Sequence, residues 1–373
     1  MKSVAYFTLS FFLILNINFA QDFEDVVSNP FSLTGDGVRS SPTFADLDDD
    51  GDLDLITGLQ SGDYGFYDNI GFNDLPSFGS FTLEPFSLGP IGGDATPFLI
   101  DMDDDGDFDV VSGGDGGIRY FENLGNATVA SFPFETSNPW DIIAPSGISK
   151  PYFVDIDNDG DPDLFSGSSD GNIYFYENIG SLGDPDFNAS VTNAFGFVDV
   201  GTRSAPSFVD IDLDGDFDAF VGEHNGGIYY FENIGNVELA EFDSIGVNLF
   251  GISYIQGDSK PSFADLDDDG DQDLMVGGVA GDYYYFENIS TGLEVKEKEF
   301  GAFNIYPNPA STLVYLKSEQ IIDKVRIYNQ VGQLIIQESG NVNSIDVSKL
   351  TRGIYIIELE IGLSKFREKL LLQ

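Results

Sequence analysis

One nine-residue pattern occurs five times in this chain and constrains its fold more than any other feature. The pattern D-x-D-x-D-G-D-x-D begins at Asp46, Asp101, Asp155, Asp210 and Asp265, so successive copies are 55, 54, 55 and 55 residues apart. Nine residues that carry at least five carboxylates cannot form a buried strand, because unpaired buried charge is very costly. A constant period of this length indicates repeated structural units, each with one exposed acidic loop.

The spacing within each loop suits a hard cation. Side-chain oxygens at positions 1, 3, 5 and 9, a backbone carbonyl at position 7 and a turn-forming Gly at position 6 make an oxygen-only site, and Ca²⁺ accepts six to eight such ligands. We expect about five Ca²⁺ ions with a structural role. The predicted metal-binding residues are Asp46, Asp48, Asp50, Asp52 and Asp54; Asp101, Asp103, Asp105, Asp107 and Asp109; Asp155, Asp157, Asp159, Asp161 and Asp163; Asp210, Asp212, Asp214, Asp216 and Asp218; Asp265, Asp267, Asp269, Asp271 and Asp273.

Two other interpretations of the loops are weaker. An EF-hand needs a bidentate Glu at position 12 and a following helix, whereas position 12 here is Thr, Ser or Val and the next residues are strand-like. A merely solvated acidic turn would not keep Asp at the same odd positions in five copies.

Further blocks recur with the same period. An aromatic segment ending in an acidic residue and Asn occupies residues 65–69, 119–123, 174–178, 229–233 and 284–288. Two aromatics eight residues apart occur at Phe23/Phe31, Phe78/Phe86, Phe132/Trp140, Phe187/Phe195 and Phe242/Phe250. A Pro precedes each Asp loop. The residue pattern of each unit therefore predicts about four short strands separated by Gly, Asp and Asn turns.

The paired-aromatic block is out of phase with the ends of the chain. Its first copy lies before the first Asp loop, and no copy follows residue 290. A ring explains this phase shift if an N-terminal strand completes the last sheet. The sequence therefore predicts an all-β, five-bladed β-propeller over residues 21–292. A linear solenoid, the alternative, would need distinct capping units at both ends.

The five units resemble the calcium-binding FG-GAP/VCBS repeats of integrin α-chain propellers and of many bacterial surface proteins. The resemblance implies that positions 1, 3, 5 and 9 ligate Ca²⁺, that position 7 adds its carbonyl, and that the loop joins the innermost strand of a blade to the second. Departures are small: Pro162 enters the third loop, and Asn158 and Leu213 replace Asp at a position that does not ligate.

Residues 302–373 differ in character, and their alternating apolar pattern predicts a small β-sandwich. The segment Tyr306-Pro-Asn-Pro-Ala310, the segment 325–329 and the segment 350–355 occur in order before a basic C-terminus. These blocks resemble the type A sorting domain of the type IX secretion system of Bacteroidota. The resemblance implies export across the outer membrane, followed by release or attachment at the cell surface. A plain carbohydrate-binding sandwich is the alternative.

The remaining segments and the composition place the protein outside the cytoplasm. Residues 1–20 are typical of a secretory signal peptide cut after Ala20, and residues 293–301 form a linker. No later segment reaches the ~18 apolar residues that a membrane span needs. The formal charge of −48 argues against nucleic acid or anionic membrane as a partner. We expect a secreted or surface-located monomer.

Repeated residues serve every blade, so specific function is expected where the blades differ. The loops between second and third strands hold His224 and flank Arg119, which we predict as ligand-binding residues. The sequence favours a non-catalytic binding or adhesion module for a glycan or protein ligand. The alternatives are a calcium-dependent, lyase-like enzyme acting on polysaccharide and a scaffold for assembly. The propeller has only five basic residues, and this small number weakens the enzyme hypothesis. Four of them, Arg39, Lys150, Arg203 and Lys260, are expected to be structural partners of the acidic loops.

Overall fold

The computed structural model describes residues 22–289 except residues 36, 73 and 146. Within 304–372 it describes all residues except 307, 318–321, 323, 329–333, 341 and 362–363. The predicted signal peptide and linker lie outside the described residues. The chain divides into two compact units, residues 1–292 and residues 293–373.

The first unit is a β-propeller of five blades, each a four-stranded antiparallel sheet. Strand β1 spans Val27–Ser28. Blade 1 holds β2 (Ser41–Ala45), β3 (Asp54–Gly58), β4 (Tyr64–Tyr67) and β5 (Thr82–Leu83). Blade 2 holds β6 (Thr96–Ile100), β7 (Asp109–Gly113), β8 (Arg119–Phe121) and β9 (Thr136–Ser137). Blade 3 holds β10 (Lys150–Val154), β11 (Asp163–Gly167), β12 (Ile173–Tyr176) and β13 (Val191–Thr192). Blade 4 holds β14 (Ala205–Val209), β15 (Asp218–Gly222), β16 (Ile228–Asn233) and β17 (Phe242–Val247). Blade 5 holds β18 (Lys260–Ala264), β19 (Asp273–Gly277) and β20 (Tyr283–Phe286).

Strand β1 completes blade 5, as the phase of the repeat predicts. Val27 pairs with Tyr285 and Ser28 with Tyr284, so the order in this sheet is β1-β20-β19-β18. The buried Phe23 adds to the closure because its N–H donates to the carbonyl of Phe250 (2.8 Å). The ring is therefore closed by main-chain hydrogen bonds between the two ends of the propeller sequence.

The first strand of each blade lies at the axis of the ring, beside the first strands of its neighbours. Its second residue is always proline, at Pro42, Pro97, Pro151, Pro206 and Pro261. The innermost strand is an edge strand, where the missing N–H of proline costs no ladder hydrogen bond. The repeated Pro of the sequence thus marks the axis.

The hydrophobic core lies between adjacent blades. One cluster joins Ile56 and Tyr64 of blade 1 to Val110 and Phe121 of blade 2, and others repeat this arrangement around the ring. The second strands end in a glycine that makes the contact possible. A Cβ on Gly167 would overlap the carbonyl of Ser204 in the next blade, closer than real Cβ atoms approach. The same clash would occur at Gly58, Gly113, Gly222 and Gly277.

The second aromatic of each pair packs on the third strand of its own blade. The ring centroids of Phe175 and Phe195 are 4.8 Å apart, and those of Tyr230 and Phe250 are 4.9 Å apart. Trp140 lies at the same position in blade 2, 5.1 Å from Tyr120. The single tryptophan is therefore a structural aromatic of its blade.

The second unit contains two antiparallel sheets. Its strands are β21 (Asn304–Tyr306), β22 (Leu313–Lys317), β23 (Lys324–Tyr328), β24 (Leu334–Ser339), β25 (Ser344–Asp346), β26 (Gly353–Ile361) and β27 (Ser364–Leu372). The sheet orders are β21-β22-β25 and β24-β23-β26-β27. Val314 from the first sheet and Ile327 and Ile357 from the second belong to one buried cluster. The predicted β-sandwich requires a core of this kind, shared by its two sheets.

Candidate metal centre

Each Asp loop connects the first strand of a blade to the second. Positions 1 to 8 form the connection, and position 9 is the first residue of the second strand, as Asp54 is of β3. Because neighbouring strands are antiparallel and the repeat is regular, all five loops lie at the same end of the ring. We call this end the Asp-loop face and the opposite end the variable face.

Hydrogen bonds inside the loop fold it around its own first carboxylate. In the third loop, the N–H groups of Asp159 and Gly160 donate to the two oxygens of Asp155 (3.1 and 3.0 Å). The residue at position 4 adopts a left-handed conformation, with φ of 58° at Asn158, and Gly160 has φ of 99°. These conformations favour Asn and Gly, and they turn positions 1, 3 and 5 toward one another.

The carboxylates at positions 1, 3 and 5 converge in every loop. One oxygen from each lies within 4.8 Å of the others. The five groups are Asp46/Asp48/Asp50, Asp101/Asp103/Asp105, Asp155/Asp157/Asp159, Asp210/Asp212/Asp214 and Asp265/Asp267/Asp269. Three carboxylate oxygens at this separation repel one another strongly without a cation between them.

Several buried carboxylate oxygens of the loops have no hydrogen-bond donor among the described residues. At position 3 these are Oδ1 of Asp103 and Asp157. At position 7 they are Oδ1 of Asp52, Asp107, Asp216 and Asp271. An unsatisfied buried carboxylate oxygen is costly, and a bound cation removes that cost. Burial, and then the charges of Asp50 and Asp48, raise the pKa of Asp52 to about 6.

Position 7 was predicted to contribute only its carbonyl. In blades 1, 2 and 4 its side chain, that of Asp52, Asp107 or Asp216, is also buried, and one oxygen of each has no donor among the described residues. Sequence reasoning missed this second role, although the presence of Asp at position 7 in all five copies is the signal that points to it.

The aspartate at position 9 lies outside the group of three oxygens and holds the loop to the blade. Asp54 Oδ1 accepts the N–H of Asn69 (2.9 Å), and its Oδ2 accepts the N–H of Leu47 (3.3 Å). The equivalent bond to the Asn N–H recurs in the other blades, at Asp109–Asn123, Asp163–Asn178, Asp218–Asn233 and Asp273–Asn288. Burial raises the pKa of Asp54 to about 7. A carboxylate that accepts one bond per oxygen keeps lone pairs for a metal.

The donor set of each loop fits Ca²⁺. It consists of oxygen atoms only, most of them carboxylate, in a loop with several adjustable side chains. The residues that would hold the ion are those at positions 1, 3, 5, 7 and 9. Bound Ca²⁺ would neutralise two charges per loop and satisfy the unpaired oxygens of positions 3 and 7.

The two predicted ligand-binding residues lie on the variable face in different blades. His224, in the β15–β16 connection, has a half-exposed side chain whose Nδ1 is 2.7 Å from Asp258 Oδ1. Arg119, at the start of β8, pairs with Glu135 (2.8 Å) and donates to the Gly116 carbonyl (2.8 Å). No contact joins the two within the described part of the chain.

The expectation for the four basic residues ahead of the first strands was wrong. Arg39 pairs with Asp94 (3.2 Å) and Asp258 (2.8 Å), and Arg203 pairs with the same two aspartates (3.1 and 2.9 Å). Lys150 and Lys260 donate to the carbonyls of Arg203 and Arg39.

The reason lies in the fold. These residues precede or begin the first strand, whereas the Asp loop follows it, so the length of the strand separates the two. We call Arg39, Asp94, Lys150, Arg203, Asp258 and Lys260 the axial cluster. Burial raises the pKa of Asp258, but the bond from His224 and the charges of Arg203 and Arg39 outweigh it and bring that pKa below its usual value.

Two families match the sequence. The FG-GAP-like repeat matches residues 101–166 and 155–221, which run from the second Asp loop to the second strand of blade 4. The secretion system C-terminal sorting domain matches residues 304–373. The chain carries FG-GAP-like repeats and a type IX sorting domain. It is therefore a secreted, cell-surface protein that is exported by the type IX system of Bacteroidota.

Solved structures similar to this FG-GAP propeller share little sequence with it. One is PorZ, a bacterial surface component of the type IX secretion system of Porphyromonas gingivalis (13% identity, TM-score 0.33). The alignment covers 89% of this chain and 44% of that one. Another is an Agrocybe aegerita lectin that recognises non-reducing terminal N-acetylglucosamine (15% identity, TM-score 0.37, covering 89% and 85%). This chain thus spans less than half the length of PorZ. No curated protein matches the sequence. Among the described residues, no helix has the length and apolarity to cross a membrane.

Proposed function

We propose that this protein is a non-catalytic binding module of the cell surface, in which structural Ca²⁺ fixes the propeller and the variable face binds a glycan or protein ligand. The calcium assignment is supported by five convergent carboxylate groups and by the FG-GAP-like repeats. In this proposal the loops between first and second strands bind the metal. The ligand is then bound at the opposite end of the ring, the variable face.

The observation that carries the binding assignment is the composition of the variable face. Large side chains are exposed on its blade connections, where the repeats differ in sequence: Ile143 is 85% exposed and Tyr254 is 66% exposed. Tyr254 packs beside the connection that carries His224, since a Cβ on Gly227 would lie 3.2 Å from the Tyr254 ring. An exposed aromatic with polar neighbours suits contact with a sugar face or an apolar side chain.

A second candidate function is a lyase-like reaction on polysaccharide. It is favoured by the pairing of His224 Nδ1 with Asp258, which orients the imidazole and leaves Nε2 for proton transfer. Arg39 and Arg203 lie around the same aspartate. Both arginines already pair with Asp94 and Asp258. They would therefore neutralise the charge of a substrate carboxylate less effectively than unpaired arginines would.

One experiment separates these functions. The calcium-loaded full chain is presented to a panel of soluble polysaccharides, and both retention and released oligosaccharides are measured. We expect retention without products, reduced at least tenfold by Tyr254→Ala and by His224→Ala. Phe72→Ala, which removes an exposed aromatic at the other end of the ring, is the matched control and should bind normally.

The other outcomes are equally informative. Released oligosaccharides would replace the binding assignment with the lyase. If neither retention nor products are observed, the ligand is expected to be a protein, and binding to candidate proteins is tested with the same variants. Retention unaffected by Tyr254→Ala and His224→Ala would overturn the assignment to the variable face.

A further inference from the structure

The axis of the propeller encloses a polar cavity that the calcium sites do not use. It has a volume of about 190 Å³ and is lined by the first strands of the five blades, including Ser41, Thr43, Thr96 and Ser262. This is far above the roughly 15 Å³ that a single water needs. Two lysines, Lys150 and Lys260, also line it, and both are buried, with 4% and 3% exposure.

Both ammonium groups are under-satisfied. An ammonium has three N–H donors. In the described part of the chain Lys150 makes one hydrogen bond, to the Arg203 carbonyl, and Lys260 makes one, to the Arg39 carbonyl (3.2 Å). Neither lies within ion-pair distance of a described carboxylate. Each therefore has two donors for another acceptor.

The two carboxylates of the axial cluster are already engaged. Asp94 accepts both Arg39 and Arg203, and Asp258 accepts the same two arginines and His224. With His224 neutral and both lysines charged, the axial cluster contains four cations and two anions, an excess of two positive charges. Burial, and then the charges of Lys260 and Arg203, lower the pKa of Lys150 well below its usual value. Burial lowers that of Lys260 to about 8. A buried anion would remove this cost.

We propose that the axial cavity binds a small inorganic oxyanion, of the sulfate or phosphate type, between Lys150 and Lys260. Four oxygen acceptors on one tetrahedral ion match the four donors that the two ammonium groups leave, and a charge of −2 balances the cluster. Ser41 and Ser262 line the same cavity, and a serine hydroxyl can act as an additional donor. This site is independent of the ligand-binding activity proposed above.

The test uses sulfate and the calcium-loaded full chain at neutral pH. We expect calorimetry to show one saturable sulfate site, and we expect the double variant Lys150→Met/Lys260→Met to lose it. Charge-assisted hydrogen bonds contribute enough that each lysine should account for about tenfold in affinity. Lys317→Met, which removes an exposed lysine of the sorting domain, is the matched control and should bind sulfate as the wild type does.

Sulfate also stabilises proteins without binding, by exclusion from their surface. Melting temperatures are therefore compared between wild type and double variant at equal sulfate concentration. A shift that saturates only in the wild type supports the site. An identical response of both proteins, or the absence of saturable binding, would overturn the proposal.

A second measurement does not depend on the folding of the double variant. Crystals of the wild type grown with selenate, a heavier analogue of sulfate, should show anomalous density between the Nζ atoms of Lys150 and Lys260. Selenate found only on the outer surface would indicate an adventitious ion only and would contradict the proposal.

Discussion

In each blade, a single carboxylate at position 9 ties the metal loop to the sheet. Asp163 accepts the N–H of Asn178, and the Asn178 side-chain carbonyl in turn accepts the N–H groups of Gly180 and Asp186 (both 3.1 Å) in the next hairpin. The recurring Asp loop and the recurring acidic-Asn pair are therefore two halves of one contact. Any ion that draws Asp163 toward it also orders the connection between the third and fourth strands.

Individual ligand positions can be tested by counting ions. Asp157→Ala removes a position-3 carboxylate whose Oδ1 has no donor among the described residues. We expect calorimetry to show one Ca²⁺ equivalent fewer than in the wild type. We also expect a loss of about 1.4 kcal/mol at millimolar Ca²⁺ if the site has a ~0.1 mM dissociation constant.

The matched control is Asn158→Asp, in the same loop. It restores the residue found at position 4 of three other loops and should leave the number of ions unchanged. If Asp157→Ala retains the full number of ions, the assignment of position 3 as a ligand is wrong.

The position-9 carboxylates also predict an unusual pH dependence for the metal-free protein. Burial raises the pKa to about 7 at Asp54, about 7 at Asp163 and about 8 at Asp218, against about 3.9 in an unfolded chain. Between these values the folded state holds more protons than the unfolded state, so stability falls as pH rises.

The measurement is the melting temperature of protein freed of metal and exchanged into buffers from pH 5 to pH 8. We expect it to fall across this range. With saturating Ca²⁺ the trend should reverse, because protons compete with the ion for the same oxygens. A melting temperature that rises with pH in the metal-free protein would contradict the raised pKa values of these groups.

At the scale of the element, local patterns were predictable and contacts across the axis were not. The Asp loops, the short strands and the closing strand follow from residues close in sequence or from the period. The pairing of Arg39 and Arg203 with Asp94 and Asp258 joins four blades. It depends on the ring bringing together residues that are at least 55 positions apart, and no local pattern indicates it.

The glycines at the ends of the second strands were also missed as structural requirements. Their role appears only when the next blade is present. Gly167→Ala would push a methyl group into the carbonyl of Ser204. Because both groups belong to the backbone or are fixed to it, we expect a loss of about 1–3 kcal/mol or more in the free energy of unfolding.

Chemical denaturation of the calcium-loaded protein measures this loss. Gly89→Ala is the control, since a Cβ there would meet no atom within 4 Å and the backbone does not require glycine. Equal stability of Gly167→Ala and Gly89→Ala would show that adjacent blades can separate at little cost.

For the whole molecule, we expect the distribution of charge to make stability depend on bound calcium. From Val295 onward the sequence has 10 basic and 9 acidic residues, so the net charge of −48 lies almost entirely before it. Five Ca²⁺ ions would offset ten negative charges. At about 1.4 kcal/mol each they would contribute roughly 7 kcal/mol, comparable with the stability of a typical domain.

Removal of calcium should therefore be visible without any mutation. We expect excess EGTA to lower the melting temperature of the propeller by many degrees, and excess Ca²⁺ to restore it. Magnesium at the same concentration serves as the control for ionic strength. An unchanged melt with EGTA would refute the calcium sites as a group.

The sharing of blade 5 between the two ends of the propeller sets an order of events for the growing chain. Of the strands of the propeller, β1 at residues 27–28 is synthesised first and its partner strand at residues 283–286 is synthesised last. Until that strand is available, the outer strand β1 has no pairing partner and the ring has an open seam. Any product truncated within the propeller keeps that seam, with its unpaired strand edges exposed. Closure of the ring therefore requires the whole propeller sequence, from β1 to β20.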